Sequence, residues 1–274
     1  MTYNDKARIF RQLHHGPRIL ALPNAWDVVS AKIFASVGFP AIATTSAGVA
    51  NCLGFRDGER IPFEELIFMT RKIVNAVDIP VTADIESGYS QGLEQLAQSI
   101  AGVVDSGAIG INIEDATPAG ELIDPDFNAL KIQKVRTAAS SLGAELFINA
   151  RIDVYLLDAG RPEDRFAETT NRATAYKAAG ADCIFVPGVV DQETIQKLVS
   201  AIEGPINVLA VKGTPSLEQL ENFGVARVST GSGPARACAT FARDIAVELR
   251  DHGSYGRYTE NAISYNELNG FFEP

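Results

Sequence analysis

The chain has 274 residues, 46% hydrophobic and 21% charged, with a formal charge of −10. That composition is globular, with enough apolar residues for one large core or two small ones. The acidity, with no Lys/Arg cluster to offset it, argues against nucleic acid or an anionic membrane as partner.

From residue 19 onward, short apolar β-branched runs alternate eight times with stretches of helical period. The first expected strand is 19–25 (ILALPNA), followed by 41–47 (AIATTSA) and the helical pattern FEELIFMTRKIVNAV. The next strand is 80–86 (PVTADIE), and the helix pattern LEQLAQSIAGVV leads from it to a strand at 110–116 (GINIEDA). The pattern ALKIQKVRTAASSL precedes the strand at 146–152 (LFINARI), and RFAETTNRATAYKAAG precedes that at 183–189 (CIFVPGV). The last two strands are 206–211 (INVLAV) and 227–232 (RVSTGS). The pieces SVGFPAI, DSGAIGI, AAGADCI and NFGVARV each put a glycine at a helix end, where left-handed geometry favours it.

Eight such units predict an α/β fold, a single (β/α)₈ TIM barrel over about 19–253 in one domain spanning 1–274. A doubly wound sheet would need a glycine-rich phosphate loop after its first strand, and LALPNAWD has no glycine. Gly231-Ser232-Gly233-Pro234 reads as a turn into the last helix, with a phosphate cradle as the alternative. The aromatic-bearing stretch 254–274 is expected to form a C-terminal helical extension on the surface or on another subunit.

No apolar run has the roughly 18 to 20 residues of a membrane span. The opening MTYNDKARIF is too polar for a signal peptide, so a cytoplasmic protein is expected. Cys52, Cys183 and Cys238 form no CxxC pair and are expected to be reduced. His14, His15 and His252 lie near the termini, so any metal should be a hard ion on oxygen ligands.

Barrel enzymes carry their chemistry at the C-terminal strand ends, and here those ends are acidic. The third strand ends in Asp84-Ile85-Glu86, whose period of two points both acids the same way, and the fourth ends in Glu114-Asp115. Asn149 and Arg151 end the fifth, Asn207 lies on the seventh, and the loop after the second brings Ser46, Gly48 and Asp57 to the same rim. Crowded carboxylates raise one another's pKa unless a cation neutralises them, so Asp57, Asp84, Glu86 and Glu114 together point to a divalent metal. Arg151, facing these acids, is the expected contact for an anionic substrate.

These residues resemble the isocitrate lyase/phosphoenolpyruvate mutase superfamily over nearly the whole barrel. The similarity rests on Pro23-Asn24-Ala25-Trp26-Asp27, Thr45-Ser46-Ala47-Gly48-Val49, Gly54-Phe55-Arg56-Asp57, Asp84-Ile85-Glu86-Ser87-Gly88-Tyr89, Asn112-Ile113-Glu114-Asp115, Ile148-Asn149-Ala150-Arg151-Ile152-Asp153 and Asn207-Val208-Leu209. The resemblance implies Mg²⁺, or Mn²⁺, bound directly by Asp84, with Asp57, Glu86 and Glu114 acting largely through water. The family usually has aspartate at the position of Glu86. Ser46 and the amides of Ala47 and Gly48 would hold a carboxylate or phosphonyl end, Arg151 the developing oxyanion and Asn207 a distal carboxylate, with Arg151 and Asp57 as catalytic candidates. The shared chemistry passes through the enolate of a small α-keto acid, and the family's exchange of its last helix implies a homodimer or homotetramer.

The chain departs from its better-defined relatives after the fourth strand. The lyases there carry a Lys-Lys/Arg-Cys-Gly-His loop and the phosphorus-directed members a lysine-bearing gate, whereas this chain reads EDATPAGELIDPDFN, and Lys131 falls inside the next helix. Lys212, in the turn KGTPS, is expected to be solvated. The leading expectation is a Mg²⁺-dependent carbon–carbon lyase, decarboxylating oxaloacetate or cleaving a substituted malate or (methyl)isocitrate. The alternatives are P–C chemistry of the phosphonopyruvate hydrolase or phosphoenolpyruvate mutase type, and a barrel that binds α-keto acids without turnover.

Overall fold

A computed structural model describes residues 1–260 and 262–272. The strands among them are β1 (Leu20–Leu22), β2 (Asn24–Ala25), β3 (Ile42–Thr44), β4 (Val81–Asp84), β5 (Gly110–Glu114), β6 (Phe147–Arg151), β7 (Cys183–Val186), β8 (Ile206–Leu209) and β9 (Arg227–Ser229). All pair in parallel in the order β1-β9-β8-β7-β6-β5-β4-β3-β2. Eight expected strands become nine because Pro23, which has no N–H to donate, divides the first. Its halves are the two edges of the sheet, β1 on β9 and β2 on β3, so the layer is a nearly closed barrel. Asn24 fastens the seam: its Oδ1 accepts the N–H groups of Thr230 and Gly231, both at 2.9 Å, and its Nδ2 donates to the Thr44 carbonyl at 2.7 Å.

The helices α2 (Val28–Ser36), α4 (Phe63–Ala76), α5 (Leu93–Ser106), α6 (Pro125–Ser141), α7 (Arg165–Ala178), α8 (Gln192–Ala201) and α9 (Leu217–Phe223) surround the strands. Their inward faces, with Leu96, Ile100, Ile132 and Leu198, pack on fully apolar strand positions such as Ile111, Ile148 and Ile184. Strands in a parallel barrel are covered on both faces, which is why they read as continuous apolar runs.

The observed strands stop earlier than their sequence patterns. Thr45 ends β3 by capping the short helix α3 (Ser46–Cys52), its Oγ1 accepting the Gly48 N–H at 3.4 Å. After β4 the backbone turns at Glu86, whose φ is +50°. The pleat argument that aligned Asp84 with Glu86 therefore does not apply, because Glu86 lies beyond the strand.

The N-terminal helix was not legible as a barrel element, and the expected last helix differs from the others in its burial. The N-terminal helix α1 (Tyr3–Leu13) seals the barrel at the strand starts, with Ala7 and Phe10 packed on Leu20, Ala41, Ile109 and Phe147. The long helix α10 (Gly233–His252) buries none of its residues. Beyond it lie α11 (Gly256–Thr259) and α12 (Tyr265–Gly270). The extension turns back on α10, where Glu248 accepts from the Ser254 hydroxyl at 2.7 Å and from the N–H groups of Gly256 and Arg257 at 3.0 and 3.1 Å. Residues 261, 273 and 274 of the expected extension lie outside the described residues. Among the described residues no helix is long and apolar enough to cross a membrane.

Candidate active site

At the C-terminal strand ends lies a cavity of about 160 Å³, whose lining includes Ser46, Ala47, Asp57, Asp84 and Arg151. That is room for several water molecules, the scale of a small organic acid. Leu156, Phe185, Pro187 and Leu209 supply its apolar lining.

Asp84 is the last residue of β4 and is buried. Its N–H donates to the Thr44 hydroxyl at 2.9 Å, and its Oδ2 accepts the Ser46 N–H at 3.1 Å. Its Oδ1 is buried without a hydrogen-bond partner among the described residues. A bare carboxylate oxygen in such a place costs free energy unless something outside the chain meets it. Asp57 stands on the exposed loop after α3 and lines the same cavity.

The other two expected acids sit behind the wall. Glu86 accepts the Glu59 N–H at 2.8 Å and the Tyr89 hydroxyl at 2.7 Å, and burial pushes its carboxyl up to about 7 against the pull of the Tyr89 bond. Glu114 lies 2.6 Å from the Arg151 guanidinium. Burial drives the Glu114 carboxyl well above the ordinary range, and the Arg151 charge opposes that shift. Among the described residues no three His, Cys, Asp or Glu side chains converge closely enough to enclose a metal ion. One bare carboxylate oxygen with a second acid nearby still fits a hard divalent ion that keeps most of its waters.

Arg151 ends β6 and is gripped twice. Its Nε donates to Asp153 Oδ1 at 2.6 Å, while Glu114 holds another arm. Burial alone would lower its pKa, but these two carboxylates raise it beyond the usual value. Asp153 is itself anchored by its N–H to Asp115 Oδ1 at 2.8 Å, and Asp115 Oδ2 accepts from Arg172 at 3.0 Å and Tyr176 at 2.8 Å. This supporting chain was not singled out from sequence; its visible signal was an aspartate two residues beyond a strand-end arginine.

Three expected residues do not reach the cavity as anticipated. Asn207 is fully buried one pleat below the rim, its amide exchanging hydrogen bonds of 2.7 and 2.9 Å with Ser229, and it is Ser229 that lines the cavity. The Gly48 N–H is occupied by its Thr45 cap, and the glycine is needed for space: a Cβ there would lie 2.8 Å from Trp26 Cβ. Asn149 lies beneath the cavity, its Nδ2 donating to Asn112 Oδ1 at 2.7 Å. Asn24, Asn112 and Ser229 belong to the lining instead. The glycine-rich segment is a turn, since the Gly231 N–H goes to Asn24 and the Gly233 N–H to the Thr230 carbonyl. Lys212 is exposed, and among the described residues no cysteine lines the cavity. The loop after β5 is a small hairpin bridged at Ala116 and Leu122.

Fold and cavity place the chain in the class of (β/α)₈ barrels with a polar cavity at the C-terminal strand ends, the face where barrel enzymes carry their active sites. The family model described as phosphoenolpyruvate phosphomutase matches residues 10–250, and the chain belongs to that family, within the phosphoenolpyruvate mutase/isocitrate lyase superfamily of lyases and mutases. An uncharacterized protein of Mycobacterium tuberculosis is 38% identical over 259 residues, 94% of each chain. The structure of a phosphonomutase candidate from Burkholderia cenocepacia matches with a TM-score of 0.84 at 44% identity, covering 89% of this chain and 100% of that one. An oxaloacetate decarboxylase of Pseudomonas fluorescens is 28% identical over 277 residues, covering 98% of this chain and 91% of its own.

Proposed function

We propose that the chain is a Mg²⁺-dependent carbon–carbon lyase that acts on a small α-keto or 2-hydroxy dicarboxylate through an enolate. The observation that carries this reading is the bare, buried Asp84 Oδ1 in a cavity of about 160 Å³ that also presents Arg151. Asp84 would hold the ion, with Mn²⁺ as a possible substitute, and Asp57 would hold its waters. When bound, the ion supplies Lewis-acid polarisation of the substrate's carboxylate and C2 oxygen.

The chain's own residues do the rest. Arg151, fixed by Asp153 and Glu114, offers its remaining N–H groups to the oxygen that becomes negative as the enolate forms. The Ser46 hydroxyl and the Ala47 amide, both in the lining, would hold the substrate carboxylate, and Leu156 and Phe185 would keep water from the enolate. Asp57, at the exposed lip, would pass a proton between solvent and substrate. The hairpin after β5 has neither thiol nor lysine, which suits decarboxylation or retro-aldol cleavage of a small acid.

The 44% identity to a phosphonomutase candidate favours a second reading, cleavage or rearrangement of a P–C bond. Incubation with oxaloacetate, substituted malates and phosphonopyruvate separates the two. Pyruvate from oxaloacetate, or an α-keto acid from the substituted malates, supports the lyase; phosphate or phosphoenolpyruvate from the third, with no turnover of the others, replaces it.

The wholly unburied α10, with Ala237, Ala239, Phe241 and Ala242 exposed, supports assembly as a homodimer or homotetramer through exchange of this helix. Phe241→Glu should lower the mass in light scattering, and an unchanged mass would remove the argument.

A further inference from the structure

A second cavity, of about 610 Å³, opens between the turns that follow β4 and β5. Tyr89, Ile123 and Phe127 supply apolar lining, Gln95 and Glu59 polar lining, and Lys131 of α6 also lines it. Lys131 is 5% exposed. Among the described residues it makes no hydrogen bond or salt bridge, and the carboxylates whose fields reach it are engaged elsewhere. Glu59 accepts from the Ser87 hydroxyl at 2.7 Å and the Tyr89 N–H at 2.9 Å, Glu114 holds Arg151, and Asp115 is bound by Arg172 and Tyr176. A buried ammonium without a contact partner is costly, so this one is poised to receive an anion.

We propose that this cavity binds a small monocarboxylic acid with an apolar chain, its carboxylate on the Lys131 ammonium and its chain along Phe127, Ile123 and the Tyr89 ring. Lys131 is the only Lys or Arg among the described residues of the lining, so it matches one negative charge. A phosphate or dicarboxylate would bring a second charge toward Glu59 with nothing to neutralise it. The apolar lining residues give the remainder of the ligand a place to leave water. The proposal does not depend on the chemistry assigned to the first cavity.

The test is titration of the full-length protein with hexanoate, with hexanol as the uncharged control, by calorimetry. Saturable hexanoate binding should weaken by about tenfold or more in Lys131→Met, which keeps the aliphatic length and should preserve the fold. Phe127→Ala, at a residue 43% exposed and outside the core, should also weaken it, whereas Arg151→Gln should not. Absence of saturable binding, hexanol binding as well as hexanoate, affinity unchanged in both cavity variants, or loss in Arg151→Gln would overturn the assignment; the last would place the acid in the first cavity.

Discussion

At the N-terminal end of the barrel, α1 presses Phe10 onto Phe147 with ring centroids 5.1 Å apart and shuts His14 and Arg227 away from solvent. At the C-terminal end, turns leave Asp84, Asp57 and Arg151 around a cavity. Both ends bury titratable groups, and they handle them differently. At the sealed end burial pushes the His14 imidazole down to about 3, so it is neutral at pH 7, and pushes Arg227 down to about 10. At the open end Arg151 is raised by two carboxylates at contact distance and stays an ion. Arg227 at about 10 is still an ion at pH 7, so of these groups only His14 gives up its charge, while the carboxylates in contact with Arg151 move it the other way, against its burial.

The contrast breaks most visibly at Phe10. Phe10→Ala should cost about 3–5 kcal/mol in urea unfolding, because it opens a cavity under the plug; a loss below about 1 kcal/mol would mean that α1 does not seal the barrel. Arg151→Lys keeps the charge but cannot hold Glu114 and Asp153 while facing the cavity, so kcat/KM should fall by about a hundredfold with little change in stability. At the sealed end the prediction concerns pH. The His14 pKa is depressed from 6.5 to about 3, so the unfolded chain takes up the proton first. Its contribution is fully present above about pH 6.5 and falls on acidification by about 1.4 kcal/mol per unit until about pH 3. His14→Phe should flatten the difference in unfolding free energy between pH 7 and pH 5, and an equally steep slope would contradict the assignment. The smallest effect is expected at Asn207, below the cavity: Asn207→Ala should cost about 1–3 kcal/mol of stability and leave KM within about twofold, whereas a large rise in KM would restore its expected contact with substrate.

The barrel was legible because its strands are continuous apolar runs and its helices end in glycines with positive φ, such as Gly107 at +86° and Gly224 at +88°. The residues that reach the cavity were legible where a motif names a strand end, as at Asp84 and Arg151. Depth along a strand was not. Asn207 and Leu209 share a pleat face, and only the register, which sets Asn207 opposite Arg227 and Leu209 opposite Ser229, shows which one stands at the rim. The seam at Pro23, the support of Arg151 through Asp153 and Asp115, and the placement of Lys131 beside a second cavity arise from pairings across 38 or more residues or from tertiary packing, which no local pattern encodes. The plug α1 was missed for a simpler reason: it precedes the first strand and belongs to no βα unit.

The most direct test is pyruvate formation from oxaloacetate with Mg²⁺, measured against an EDTA-treated control and against Asp84→Ala to subtract decay catalysed by free metal. The account predicts turnover by the wild-type chain that disappears with EDTA and falls by about a thousandfold or more in the variant. Equal rates for the folded variant and the wild type would contradict a metal held by the bare oxygen of Asp84.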